Sequence, residues 1–242
     1  MVAKAAERYS EEMKKMDKNK KIFWVLILIS ITCQAIITPF LLGDIQLILN
    51  WISVAFYGFF GYLGLNYFEK KAGFPEMLQR DIRFNWRIVI PFLLGIIFAV
   101  AAIIADIISP TEIPQIAFPL SIPVWIPIAI LDEMFWRLFI LTFLIFFVSN
   151  KIFKGKHYEK VFWGVAIFES FIYIIIQFSL YSKMVGTITP FVILQIILIS
   201  GGFVIVSCYL YKRGGFLAPV TLHLTQYLLY HGLYGGIRVT FL

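Results

Sequence analysis

Apolar residues run through this chain in stretches of about 20 to 30 positions, broken only by short polar segments. A helix needs about 20 largely apolar residues to cross a ~30 Å hydrocarbon core. The pattern therefore predicts spans over 22–42, 45–67, 88–108, 119–149, 161–181, 188–211 and 217–240. No polar stretch between them is long enough for a soluble domain, and no internal repeat stands out. The expected fold class is all-α: a polytopic transmembrane helical bundle of about seven spans, forming one domain over 22–242. A Pro-rich stretch around 110–127 leaves open whether neighbouring spans merge or split there. The lead, 1–21, is hydrophilic, basic and helix-prone. Its Tyr9, Met13 and Met16 have the spacing of an amphipathic helix on the membrane surface, although a solvated helix fits equally. A basic lead before a full-length apolar run, with no small-residue cleavage pattern, reads as a retained anchor.

Composition narrows the class further. Of 242 residues 60% are apolar, 18% aromatic and only 14% charged, whereas a soluble domain is about half apolar and a quarter charged. A soluble enzyme is excluded. Twenty-five Phe beside two Cys also excludes a disordered chain and a disulfide-rich secreted fold. Cys33 and Cys208 both lie in apolar runs and read as space-filling residues.

Charge sets the orientation. Of 21 Lys and Arg, 18 fall in the lead and in alternate loops over 70–87, 151–160 and 212–213. Cytoplasmic loops carry such an excess, so the N-terminus is expected inside and the C-terminus outside. The net charge of +7 is then explained by basic loops against an anionic leaflet. Membrane lipids are the expected partners and nucleic acid is not. The oligomeric state has no signature.

Ionisable residues inside spans are costly, about 2.5–3.5 kcal/mol each at the membrane centre unless paired or hydrated. Here they are Asp106, Asp132, Glu133, Arg137, Glu169, His223 and His231. Glu133 and Arg137, four apart, share a helix face and make a natural ion pair. Asp132 lies five residues from Arg137, about 140° around the helix, and is freer to meet water or a neighbouring helix. A purely structural ion pair with one interhelical hydrogen bond explains the same residues. Measured from the basic loops, Asp132, Glu169 and His223 fall at ~15, ~12 and ~9 Å depth. A pocket in the cytoplasmic half, shared by Asp132, Glu133, Glu169 and His223, is therefore expected. No cofactor is called for. A divalent metal such as zinc stays possible, since His223 with two carboxylates meets the ligand count, but no HExxH motif occurs. His231 reads as a hydrogen-bonded packing residue, Asp106 as solvated near the outer end, Gln177 and Gln195 as interhelical hydrogen-bonders, and Gly201 with Gly202 as close helix packing. His157 sits in a basic loop with no evident role.

Two of these segments resemble the CAAX prenyl endopeptidase and bacteriocin-processing intramembrane proteases, also called the abortive-infection family. The stretch Asp132-Glu133-Met134-Phe135-Trp136-Arg137, followed by Leu-Phe-Ile-Leu, is similar to the family's EExxxR motif with Asp in first place. Gly214-Gly215 leading to His223-Leu224-Thr225-Gln226-Tyr227 is similar to its HxxxN motif, with Tyr in the last place. The middle FxxxH motif has no counterpart: Trp163 to Tyr173 contains no His, and Glu169 is its nearest ionisable replacement. Tyr173 shares a helix face with Glu169, so the register there stays open. The resemblance covers 119–231, the protease-like core.

The resemblance implies an integral protein of a prokaryotic cytoplasmic membrane. It implies hydrolysis of a peptide bond in a membrane-associated peptide or protein near the cytoplasmic face. Asp132 would be the general base, Glu133 and Arg137 its supporting pair, Glu169 a second acid/base, and His223 an oxyanion donor assisted by Tyr227. Metal dependence and a water-activating carboxylate are the two descriptions of such sites. Each departure weakens this chemistry, because shortening Glu to Asp moves a reacting group by ~1 Å, which can cost ~100-fold. An inactive membrane scaffold on the same fold, or a proton-coupled transporter built on buried carboxylates and a His, are the alternatives.

Overall fold

The structure is a computed structural model that describes residues 2–40, 44–108, 115–185 and 188–241, with side chains described over 18–40, 50–108, 115–183 and 188–240. Every described element is helical, the outcome expected where no water can satisfy backbone N–H and C=O groups. Helix α1 is Val2–Ile37, so the basic lead and the first apolar run form one continuous helix. The surface-facing pattern of Tyr9, Met13 and Met16 lies outside the described side chains.

Helix α2 is Asp44–Leu63, extended by a wider π turn over Gly64–Phe68. Helix α3 is Ile90–Ile108, preceded by a π turn over Asn85–Val89. Helix α4 begins at Ser121–Glu133 and continues without a break through Met134–Leu141, Thr142–Ile145 and Phe146–Ile152. Helix α5 is Tyr158–Val185. Helix α6 runs from Pro190–Gln195 through Ile196–Gly201 to Gly202–Gly214. Its start is set by Thr189, whose hydroxyl accepts from the Val192 amide, and by Pro190 in the first turn, where a missing N–H costs nothing. Helix α7 runs from Leu217–Tyr227 through Leu228–Gly235 to Gly236–Phe241.

Four of these helical runs are long and apolar enough to cross a membrane: Lys18–Phe40, Asn85–Ile108, Tyr158–Lys183 and Pro190–Gly214. Helices α2, α4 and α7 are not among these four; α2 includes residues 44–49, whose side chains lie outside the described residues. The loop that would decide a merger near 110–127 includes residues 109–114, outside the described residues.

Contacts between loops sort the bundle into two ends. At one end Asn19 donates to Glu76 (3.2 Å) and accepts from the Leu78 amide (3.2 Å). There too Gly214 backs onto the Trp86 carbonyl, and Gly73 faces the Tyr158 ring. This is the end of the basic loops. At the far end the Phe118 amide donates to Thr240 Oγ1 (3.0 Å), and Ser121 Oγ donates to the Gly232 carbonyl (2.8 Å). The described segments thus run alternately between a basic end and a far end.

Glycines let backbones approach, as in membrane helix pairs generally. A Cβ at Gly64 would lie 1.9 Å from the Leu138 carbonyl oxygen, and one at Gly95 would lie 2.6 Å from Thr225 Cβ. Gly201 lets Ser170 Oγ donate to its carbonyl at 2.9 Å; Gly202 meets only Phe98, at 4.0 Å from a built Cβ. The α2–α4 seam is aromatic: Tyr57 stacks on Phe135 (5.2 Å), and Phe60 packs on Phe139 (4.7 Å). A core of Phe23, Ile130, Met134, Leu138, Phe162, Val204 and Tyr211 lies between these seams.

Candidate functional site

Four helices bring ionisable groups to one place. Glu133 and Arg137 come from α4, Glu169 from α5, Ser207 and Cys208 from α6, and His223 from α7. All six are almost wholly inaccessible. His223 Nδ1 lies 2.9 Å from Glu133 Oε1. Arg137 Nε donates to Ser207 Oγ (3.0 Å), and Ser207 donates its single proton to Glu133 Oε2 (3.0 Å). Arg137 Nε is 3.5 Å from Glu133 Oε2, the i,i+4 pair expected from the sequence. The other arm of the guanidinium binds Glu169 Oε2 at 2.6 Å, and Cys208 Sγ approaches the same oxygen at 3.6 Å.

The directions of these bonds are fixed by donor inventory. Arg137 can only donate, so the Ser207 proton goes to Glu133. Both Glu133 oxygens then act as acceptors, which puts the His223 proton on Nδ1. His223 Nε2 is buried and has no partner, as is Glu169 Oε1.

Beside His223 lies a cavity of about 220 Å³, lined by side chains that include Trp125, Tyr173, Gln195, Gln226, Tyr227 and His231. Gln195 Oε1 and Trp125 Nε1 are further buried polar atoms without partners there. Tyr227 packs edge-on against His223, with ring centroids 4.2 Å apart, and His231 stacks on Trp125 at 4.0 Å. The Tyr173 and Tyr227 side chains interact with each other.

The six residues singled out from sequence fall into three groups. His223 and Tyr227 line the cavity. Glu133, Arg137 and Glu169 form the network behind it. Asp132 is partly exposed, does not line the cavity, and makes no hydrogen bond or ion pair among the described residues. It lies within electrostatic reach of His223, Glu133, Arg137, Tyr173 and Tyr227.

Several expectations need correction. Glu169 was expected as a second acid/base beside Asp132, but the guanidinium of Arg137 takes its carboxylate instead. One pocket was expected to be shared by Asp132, Glu133, Glu169 and His223, but of these four only His223 lines the cavity. It extends from His223 toward Tyr181, Tyr230 and His231, residues further along α5 and α7 from the basic end. Asp106, expected to be solvated, is buried; it pairs with Arg238 and accepts from Tyr234 Oη at 3.0 Å. Gln195, expected as an interhelical hydrogen-bonder, leaves its oxygen free at the cavity. His231, by contrast, has the hydrogen bond expected of it, with Nδ1 3.1 Å from Gln115 Oε1.

Cys33 and Cys208 are free and buried. Among the described residues no group of three His, Cys, Asp or Glu side chains is arranged to hold a metal ion. The reason is visible in the cluster: Glu133, Glu169 and His223 Nδ1 already face one another, Ser207 or Arg137. Such a donor set does not fit a metal. Ser207, Cys208 and Trp125 were not recognised as part of the site, because a hydroxyl, a thiol and an indole inside an apolar run carry no motif.

No family model matches the chain, and neither a curated protein nor a solved structure matches it. The likeness to the CAAX-type proteases rests on the motif residues alone.

Proposed function

We propose that this chain is a membrane-embedded, peptidase-like hydrolase, with Glu133 and His223 as its water-activating pair. One observation carries the reading: a buried carboxylate holds His223 Nδ1 at 2.9 Å while Nε2 is left without a partner on a residue that lines the cavity. A histidine oriented by a carboxylate, with its other nitrogen free, is the arrangement that takes a proton from an attacking water and returns it to a leaving amine. Tyr227, against the same imidazole, supplies an O–H toward a developing oxyanion. Asp132 adds a second carboxylate near the pair, and Arg137 with Ser207 fixes Glu133. The substrate is a membrane-associated peptide or protein whose scissile bond reaches the cavity within the bilayer. The chain belongs, on this reading, to a cytoplasmic membrane, with its basic end inside.

The second reading, an inactive scaffold, is favoured by the closed exchange among Glu133, Arg137, Ser207 and Glu169, which knits α4, α5 and α6 without any substrate. The test is a cleavage assay on the full chain in vesicles, using single-span peptides that carry a fluorophore and a quencher. General acid–base groups contribute about 10²–10⁴-fold, so His223→Gln should lower the rate by at least about 100-fold while the thermal unfolding profile stays cooperative. Absence of cleavage by the folded wild type, or a rate unmoved by His223→Gln, overturns the hydrolase and leaves the scaffold.

A further inference from the structure

A second depression lies at the basic end, away from the cluster. It occupies about 420 Å³ between the end of α4 and the start of α5, and is lined by Val148, Phe153, His157, Lys160, Val161, Gly164 and Val165. Its floor and walls are aliphatic and aromatic, while its rim carries an imidazole and an ammonium. Phe153, His157, Lys160 and Gly164 are exposed, whereas Val161 and Val165 are buried beneath. An apolar trough with a cationic lip, where a membrane helix leaves the bilayer, matches an amphiphile with an anionic head.

The surrounding charge is one-sided. Lys154, Lys156 and Lys160 are exposed, and no ion pair joins any of them to a carboxylate among the described residues. The one acid of this loop, Glu159, is engaged elsewhere, pairing with Lys212 at 2.5 Å. The positive end of the 28-residue helix α5 adds to the same field, which favours a phosphate. Gly164 keeps the trough open, because a Cβ built there meets nothing within 4 Å.

We propose that this groove is a binding site for one anionic phospholipid, with an acyl chain over Gly164, Val161 and Val165 and its phosphate on Lys160 and His157. The site is distinct from the His223 cavity and stands whether or not that cavity is catalytic. Purified, delipidated full-length protein would be titrated with phosphatidylglycerol or phosphatidylcholine and read by native mass spectrometry. One phosphatidylglycerol should bind in preference to phosphatidylcholine. Gly164→Leu fills open space without displacing a neighbour and should weaken that binding about fivefold or more. Lys160→Gln should weaken it about fivefold, the effect of one basic residue at a lipid surface. Arg80→Gln, an exposed basic residue on another loop, should leave it unchanged. Equal binding of the two lipids overturns the proposal. So does binding that Gly164→Leu leaves intact, or that Arg80→Gln lowers as much as Lys160→Gln, since diffuse attraction to the basic end would then be the cause.

Discussion

His223 and Glu133 are 90 residues apart in sequence and 2.9 Å apart in space, and among the described residues their contact is the only direct hydrogen bond joining the α7 histidine to the charged network. That network contains one permanent cation for two buried carboxylates. Arg137 is therefore its least replaceable member. Removing one partner of a buried ion pair costs about 3–5 kcal/mol, because the other charge is left uncompensated. Arg137→Met should lower stability by that amount in detergent unfolding. Glu169→Gln should cost less, since Glu133 still faces the guanidinium at 3.5 Å. The reverse order would show that Glu169, not Arg137, organises the cluster.

A pH effect is expected from the basic end. Glu69, just beyond the 45–67 segment, is buried and accepts a hydrogen bond from Tyr211 Oη at 2.8 Å. Burial pushes its carboxyl up to about 8, with the nearby Glu76 adding to the rise and the Tyr211 hydrogen bond opposing it. The folded chain then holds this proton over a range where the unfolded chain, at the ordinary carboxylate value, has lost it. The unfolded state binds fewer protons there, so stability is greatest below about pH 4.5 and falls as pH rises toward about 8. Glu69→Gln should flatten this slope, matching the wild type near pH 5 and exceeding it by a few kcal/mol at pH 8. Parallel slopes in the two proteins would assign the pH dependence to other groups.

Helix approach at Gly64 gives a packing test. An added methyl there would sit 1.9 Å from the Leu138 carbonyl oxygen, with no flexible side chain able to move away. Gly64→Ala should separate α2 from α4 and cost about 1–3 kcal/mol or more. Gly164→Ala, in open space on α5, should be neutral or stabilising by up to about 1 kcal/mol through helix propensity. Equal melting temperatures for the two variants would mean that the α2–α4 seam yields more than its geometry allows.

The membrane-helical nature of the chain was legible because 20-residue apolar runs have few other solutions, and the Glu133–Arg137 pair was legible from i,i+4 spacing. The partners of that pair were not. Glu169 was placed level with the charges of α4, and it does reach Arg137, yet position along a helix says nothing of azimuth, and a turn of α5 decides which of those charges it faces. Asp106 looked solvated because its partner Arg238 lies 132 residues away at the end of another helix. Ser207 and Trp125 left no trace because their roles depend on which atom a neighbour has left unsatisfied. The cavity's lining was missed for a related reason: Tyr181, Tyr230 and His231 help to shape it, and bulky residues in apolar runs carry no motif.

The most direct test of the site is the protonation pattern of His223, one of only three histidines in the chain. The ¹⁵N spectrum of histidine-labelled protein, with His157→Gln and His231→Gln used for assignment, should show His223 at alkaline pH with a proton on Nδ1 and a free, pyridine-type Nε2. Glu133→Gln should disturb that pattern. A neutral His223 with its proton on Nε2 and Nδ1 bare would contradict the carboxylate-held imidazole, and with it the water-activating pair.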